Sequence, residues 1–153
     1  MINLLPIATV RNMRVEVEDD NWGEEISVIE LDPSLPEEAL FGLEDFSHAE
    51  IFFLFHLVPG ETIESGARHP RNNSDWPRVG ILSQRGKNRP NRLGATIVKV
   101  LKRDGRKLHV QGLDAVDGTP ILDIKPVMRE FLPREEVHQP EWATELMKQY
   151  WKK

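Results

Sequence analysis

Two β-rich runs, residues 96–103 and 106–113, are separated by Asp104-Gly105. Asp and Gly tolerate the positive backbone φ of a two-residue hairpin loop, so this spacing predicts an antiparallel hairpin. A lone hairpin is marginal in water and must gain strands until its apolar face is covered. Residues 4–11 and 26–31 read as such strands, the second ending at Asp32-Pro33. Residues 48–58, rich in Phe and Ile, read as a buried strand, and residues 79–83 and 120–124 as short ones. The connections are an acidic, aperiodic stretch (12–24), a Gly/Pro/Asn-broken loop (59–77), a very basic loop (84–93) and a turn (114–119). Helix signals are few. Pro36-Glu37-Glu38 opens a short helix, with Pro at its start and acids in its first turn, ended by Gly42. Residues 141–151 form an amphipathic C-terminal helix, with Trp142, Leu146 and Gln149-Tyr150 near one face. Many strands without βαβ alternation predict a mostly β fold, a small antiparallel barrel or sandwich, with short peripheral helices. Residues 1–133 are expected to form this domain and residues 134–153 a helical tail on it.

The 153 residues are the length of one ordinary domain, and 39% hydrophobic composition supplies a core. The absence of cysteine excludes disulfides, thiolate catalysis and zinc–cysteine sites, and fits a reducing, cytoplasmic location. The longest apolar run, residues 51–58, contains His56 and is far shorter than the roughly 20 residues of a membrane helix. Residues 1–10 have no basic segment ahead of their apolar stretch and read as a strand rather than a leader. No G-x-G-x-x-G, P-loop or G-x-S-x-G element is present, which disfavours a Rossmann fold and serine hydrolysis. The five histidines, His48, His56, His69, His109 and His138, lack metal-ligand spacing, so no metal is expected. His48 and His56 fall on one face if their strand is regular.

Charge is segregated. Residues 1–67 hold 2 Lys/Arg against 15 Asp/Glu, whereas residues 68–107 hold 12 against 2, in a chain of net charge −5. The basic block reads either as a nucleic-acid footprint or as a set of partners for the acidic first third. Within it, Arg85, Lys87, Arg89 and Arg92 crowd one loop stiffened by Pro90. Such a loop needs anionic company: protein carboxylates, RNA phosphates or a ligand carboxylate. A second cluster, Gly112-Leu113-Asp114-Ala115-Val116-Asp117-Gly118-Thr119-Pro120, is by itself an ordinary strand–turn–strand with Asp as turn former.

Taken together, these segments resemble a known family. Asp117-Gly118-Thr119-Pro120-Ile121-Leu122-Asp123-Ile124-Lys125-Pro126 is similar to the signature of the TsaA-like, or TrmO, family of tRNA methyltransferases. Arg89-Pro90-Asn91-Arg92-Leu93-Gly94 resembles its R-P-N-x-x-G element, with Arg92 where the family has a second proline. Phe46-Ser47-His48 and the strand to His56 resemble its third block, and Pro6-Ile7-Ala8-Thr9-Val10 its first strand. The blocks follow the family order from residue 6 to residue 126. The resemblance implies a small β-barrel that binds S-adenosylmethionine and usually forms a homodimer. It implies methylation of the exocyclic nitrogen of threonylcarbamoyl-adenosine beside the anticodon of threonine tRNA. It assigns the cofactor to His56, Leu57, Arg85, Ala95 and Leu113, Asp114, Ala115 and Val116. The chain is expected to be a short form without the family's additional C-terminal domain, and its acidic 13–23 stretch lacks the family's Pro-Arg-Gln segment.

Methyl transfer to a nitrogen also requires loss of a proton, for which Asp114 and Asp117 are the candidate catalytic carboxylates. Arg85 and Arg89 are candidates for a carboxylate or phosphate, Asn91 for a base or ribose edge, and Arg92 for RNA. Two other readings stay open: a non-catalytic RNA-binding barrel resting on the basic block, and a methyltransferase for another RNA or a small molecule.

Overall fold

A computed structural model describes residues 1–153. In chain order the strands are β1 (Ala8–Arg11), β2 (Ile26–Leu31), β3 (His48–Leu54), β4 (Ala67–Arg68), β5 (Val79–Gly80), β6 (Leu93–Asp104), β7 (Lys107–Gln111) and β8 (Pro120–Pro126), followed by the helix α1 (Glu141–Leu146). Six of them close an antiparallel barrel in the order β1-β2-β7-β6-β3-β8, while β4 and β5 form a separate ribbon. No helix is long and apolar enough to cross a membrane.

Period-2 patterning makes the barrel. On β3, Ala49, Ile51 and Phe53 are buried and alternate with half-exposed neighbours; β2 and β7 alternate likewise. Ile29, Leu108, Val110 and Ile121 meet them in one core. Residue 94 must be glycine at this density. It pairs with Phe53 across β3 and β6, and a Cβ on it would lie 2.5 Å from the Phe53 ring.

The predicted hairpin forms, shifted by one residue. Asp104 pairs with Lys107, so the two loop residues are Gly105 and Arg106 rather than Asp104 and Gly105. Gly105 takes φ +62°, the positive value required at the first position of a II′-type turn. Arg106 is then free to donate to the carbonyls of Asp32 (2.8 Å) and Leu35 (2.7 Å). A bulge between Val100 and Lys102 absorbs one extra residue on β6.

Other boundaries are corrected by pairing partners. The first strand begins at Ala8, not residue 4, and Leu4 and Leu5 remain exposed. β3 ends at Leu54, because the His56 N–H turns back to the Leu54 carbonyl (2.8 Å). His48 and His56 therefore do not share a strand face. Only Val79 and Gly80 of the 79–83 run are strand. Glu37–Leu40 is a 3-10 turn, and the C-terminal helix is α-helical only to Leu146 before a 3-10 turn over Met147–Gln149.

Replacing Gly94 with Ala pushes a methyl into the Phe53 ring and should cost about 1–3 kcal/mol of stability, the usual range for overpacking. Urea unfolding reads this as a lower midpoint at unchanged slope, and a midpoint equal to wild type would show that the ring has room to yield.

Candidate functional site

Antiparallel closure sends the ends of β1, β3 and β7 and the starts of β2, β6 and β8 to one mouth of the barrel. The acidic 12–25 stretch, the long 55–92 connection and the 112–119 turn all converge there. Between them opens a cavity of about 1480 Å³.

The 112–119 turn contributes one wall. Gly112, at φ +87°, lets the chain leave β7 sharply. The segment is then pinned by Asn12, whose amide donates to the Ala115 carbonyl (2.8 Å), and by the Thr119 hydroxyl, which donates to the Val116 carbonyl (2.7 Å). Asp114, Ala115 and Val116 face the cavity. One Asp114 oxygen accepts the Thr96 hydroxyl from β6 and the other accepts the Tyr150 hydroxyl from the C-terminal segment.

The opposite wall is the basic loop. Arg85 donates to the Ala95 carbonyl, Arg89 to the Gln84 carbonyl and Arg92 to the Val58 carbonyl (3.1 Å). None of Arg85, Lys87, Arg89 or Arg92 forms an ion pair with a carboxylate. Asn91 and Arg92 adopt positive φ (63° and 52°), which bends the loop over the mouth. Elsewhere in the basic block, two arginines are paired. Arg71 pairs with Asp20 (2.9 Å), and Arg103 pairs with Glu44 (2.9 Å) and Glu37 (3.6 Å). The hydrogen bond from Arg103 holds the Glu44 carboxyl down at about 2. Pairing with the acidic first third thus accounts for Arg71 and Arg103 but leaves the other cations of the block, the 85–92 loop among them, without a carboxylate partner.

Of the residues singled out from sequence, His56, Leu57, Arg85, Arg89, Asn91, Ala95, Asp114, Ala115 and Val116 line this one cavity. Three do not. Leu113 is fully buried in the barrel core. Arg92 turns its guanidinium to Val58. Asp117 caps the turn, its carboxylate accepting the Asn12 N–H (3.0 Å) while its own N–H donates to the Arg14 carbonyl (2.7 Å). Sequence reasoning missed Thr96 and Trp22 at the cavity, and read Trp142 and Tyr150 only as a helix face. Thr96 left a signal, since it is a polar residue in the inward phase of β6 between Gly94 and Val98.

Burial pushes the His56 imidazole below its ordinary value of 6.5, which favours the neutral ring. Between that value and the lower folded one, the unfolded chain binds a proton that the folded chain does not. Stability should therefore fall as pH drops through this window and level off below it. His56→Gln removes this part of the dependence. Urea unfolding from neutral to mildly acid pH checks it, and identical pH slopes in both proteins would contradict it.

Comparison with known proteins follows the same outline. The family model for the tRNA-methyltransferase O N-terminal domain matches residues 18–131. A tRNA (adenine(37)-N6)-methyltransferase of Homo sapiens is 38% identical over 105 residues, 69% of this chain and 23% of the human protein. The protein of the same name from Escherichia coli is 39% identical over 99 residues, 60% of this chain and 40% of its own length. A crystal structure of TrmO from Pseudomonas aeruginosa matches with a TM-score of 0.74 at 26% identity, covering 93% of this chain and 62% of that one. The chain thus spans less than half the length of these two curated relatives. The family read from the motifs, the barrel and the match over residues 18–131 all agree: this chain belongs to the family of the tRNA-methyltransferase O N-terminal domain.

Proposed function

We propose that this chain is an S-adenosylmethionine-dependent methyltransferase that modifies the exocyclic nitrogen of threonylcarbamoyl-adenosine beside the anticodon of threonine tRNA. The observation that carries the reading is the convergence of His56, Arg85, Ala95 and the Asp114–Val116 wall on one cavity, from blocks far apart in sequence. The donor set fits the cofactor chemically. Arg85 and Arg89 offer guanidinium groups without carboxylate partners to a ligand carboxylate. Asp114 offers acceptor lone pairs to an ammonium or amino N–H. Phe55, Leu57 and Val116 offer apolar surface to a planar base. His56, kept neutral by burial, adds a ring nitrogen that can accept or donate.

When bound, the cofactor supplies a methyl already activated on a sulfonium, and the chain supplies binding and aim. Orientation of the acceptor nitrogen can account for up to about 7–11 kcal/mol of barrier lowering. The acceptor nitrogen sheds a proton as it gains the methyl, and Asp114, a carboxylate lining the cavity beside the Tyr150 and Thr96 hydroxyls, receives it. Asp117, committed to the Asn12 N–H, holds the shape of the wall. Lys87, Arg89 and Asn91 meet the RNA at the rim, and Arg92 supports that loop from behind. A homodimer in the cytoplasm fits the family, and it is part of this proposal.

The basic rim also favours a second reading, an RNA-binding barrel without catalysis. Titration with S-adenosylmethionine separates the two. Ligand at ~100 times its dissociation constant should raise stability by about 2.7 kcal/mol. Arg85→Ala and Asp114→Asn should each weaken binding by about tenfold or more, the scale of one hydrogen bond to a charged group. A folded wild-type protein with no affinity would leave the RNA-binding reading in possession. For the acceptor, transfer to threonine tRNA carrying the modified adenosine should exceed transfer to bulk RNA or small amines. Removing the Lys87 or Arg89 charge should weaken tRNA binding and reduce its salt slope by about one contact each.

A further inference from the structure

The C-terminal segment from Glu141 onward lies beyond residues 18–131, so the family match assigns it nothing. It crosses the mouth of the barrel, and Trp142, Leu146, Met147 and Tyr150 line the cavity from above. Its path is fixed at both ends. At the near end, the Trp76 indole donates to Glu145 (2.8 Å). At the far end, the Asn21 and Trp22 N–H groups donate to the carbonyls of Gln149 (3.2 Å) and Tyr150 (2.8 Å). The Trp151 carbonyl sits so close to Gly23 that a Cβ there would lie 1.7 Å from its oxygen. Trp151 also meets the Tyr150 ring edge-on, with centroids 4.8 Å apart. These contacts bring the Tyr150 hydroxyl onto Asp114 in the cavity wall.

We propose that Tyr150 is a positioning residue that, together with Thr96, fixes the Asp114 carboxylate so that its remaining lone pairs face the N–H of a bound ligand. The inference rests on the cofactor reading above and extends it to a segment outside the family match. A carboxylate offers about four lone-pair directions. The Thr96 and Tyr150 hydroxyls, one on each oxygen, lock the plane of the group and leave the inward directions free. A carboxylate on an unpinned loop would instead rotate among positions, and its ligand would have to order it at an entropic cost. Burial, and then the Asp114 charge, push the Tyr150 phenol above its ordinary value, so it stays a proton donor throughout the working pH range.

The test uses the whole chain. Tyr150→Phe keeps the ring and its edge-on contact with Trp151 but removes the donor. It should leave the thermal unfolding temperature close to wild type, while S-adenosylmethionine affinity falls about tenfold. Gly23→Ala, which touches neither Asp114 nor the ligand, displaces the segment and should give a similar loss. A purely structural anchor would lower stability in both variants without this shift in affinity. A second readout needs no ligand. Tyr150 is the chain's sole tyrosine, so its tyrosinate absorbance reports this one phenol. In Asp114→Asn that band should appear at lower pH than in wild type, because the neighbouring negative charge is gone. Wild-type affinity with Tyr150→Phe binding equally well overturns this inference alone, as does a tyrosine titration that Asp114→Asn leaves unmoved. A wild type without affinity overturns the cofactor reading and this inference with it.

Discussion

Closure of the six-stranded sheet rests on its shortest member. β1 contributes four residues, pairs along its whole length with β2, and reaches β8 through only two register partners, Ala8 with Ile121 and Thr9 with Pro120. Backbone bonds from Ile7 to Ile121, and from Val10 to Thr119, extend that seam by one step at each end. Without it the sheet would have two open edges and no inside. With it, the antiparallel alternation forces every second connection to the same mouth. The cavity is thus a consequence of strand direction. Three connections rich in polar residues have to meet where the barrel core gives out, and Phe53 and Gly94 mark the depth at which it does.

Charge at that mouth follows a rule set by geometry. There Arg71 takes Asp20 as its partner, whereas Arg103, near the far end of β6 and away from this mouth, takes Glu44. The 85–92 loop shares the cavity with Glu18 and Asp19 of the acidic first third but forms no ion pair with them. Its arginines reach only backbone carbonyls, which satisfy N–H donors but carry no net charge. Four like charges within eight residues therefore lack an ion-pair partner beside a large cavity. Exposed pairs such as Arg103–Glu44 contribute little to stability, whereas an uncompensated cluster raises the local affinity for any anion. Cations of the 85–92 loop without carboxylate partners thus stand at the rim of this mouth.

The sequence made the barrel legible because alternation on β2, β3 and β7 is strict and Gly105 marks the hairpin. It left the register hidden. The bulge after Val100 has no signature in composition, and the one-residue shift of the turn depends on Arg106 finding the Asp32 and Leu35 carbonyls across the fold. The family resemblance singled out Arg85, His56 and Asp114, which line one cavity. It also singled out residues off the cavity, because one motif spans both cavity and core. Leu113 and Asp117 flank the three residues that face the ligand space, and a turn of this curvature must aim its ends elsewhere. Tyr150 was visible only as part of an apolar helix face, since its partner lies 36 residues away in sequence.

That separation bears on what the C-terminal segment is for. No residue of α1 or the following 3-10 turn is fully buried, so hydrophobic burial alone holds the segment weakly. Its place is set instead by a few directional contacts, through Trp76, Asn21, Trp22 and the tight approach at Gly23. Such contacts specify position better than they add stability. An element held in that manner is costly to keep unless its position matters, and the group it positions most closely is the Asp114 carboxylate. The curated relatives are much longer than the part matched here. Over the barrel mouth, Trp142, Leu146, Met147 and Tyr150 of the C-terminal segment form one wall of the cavity.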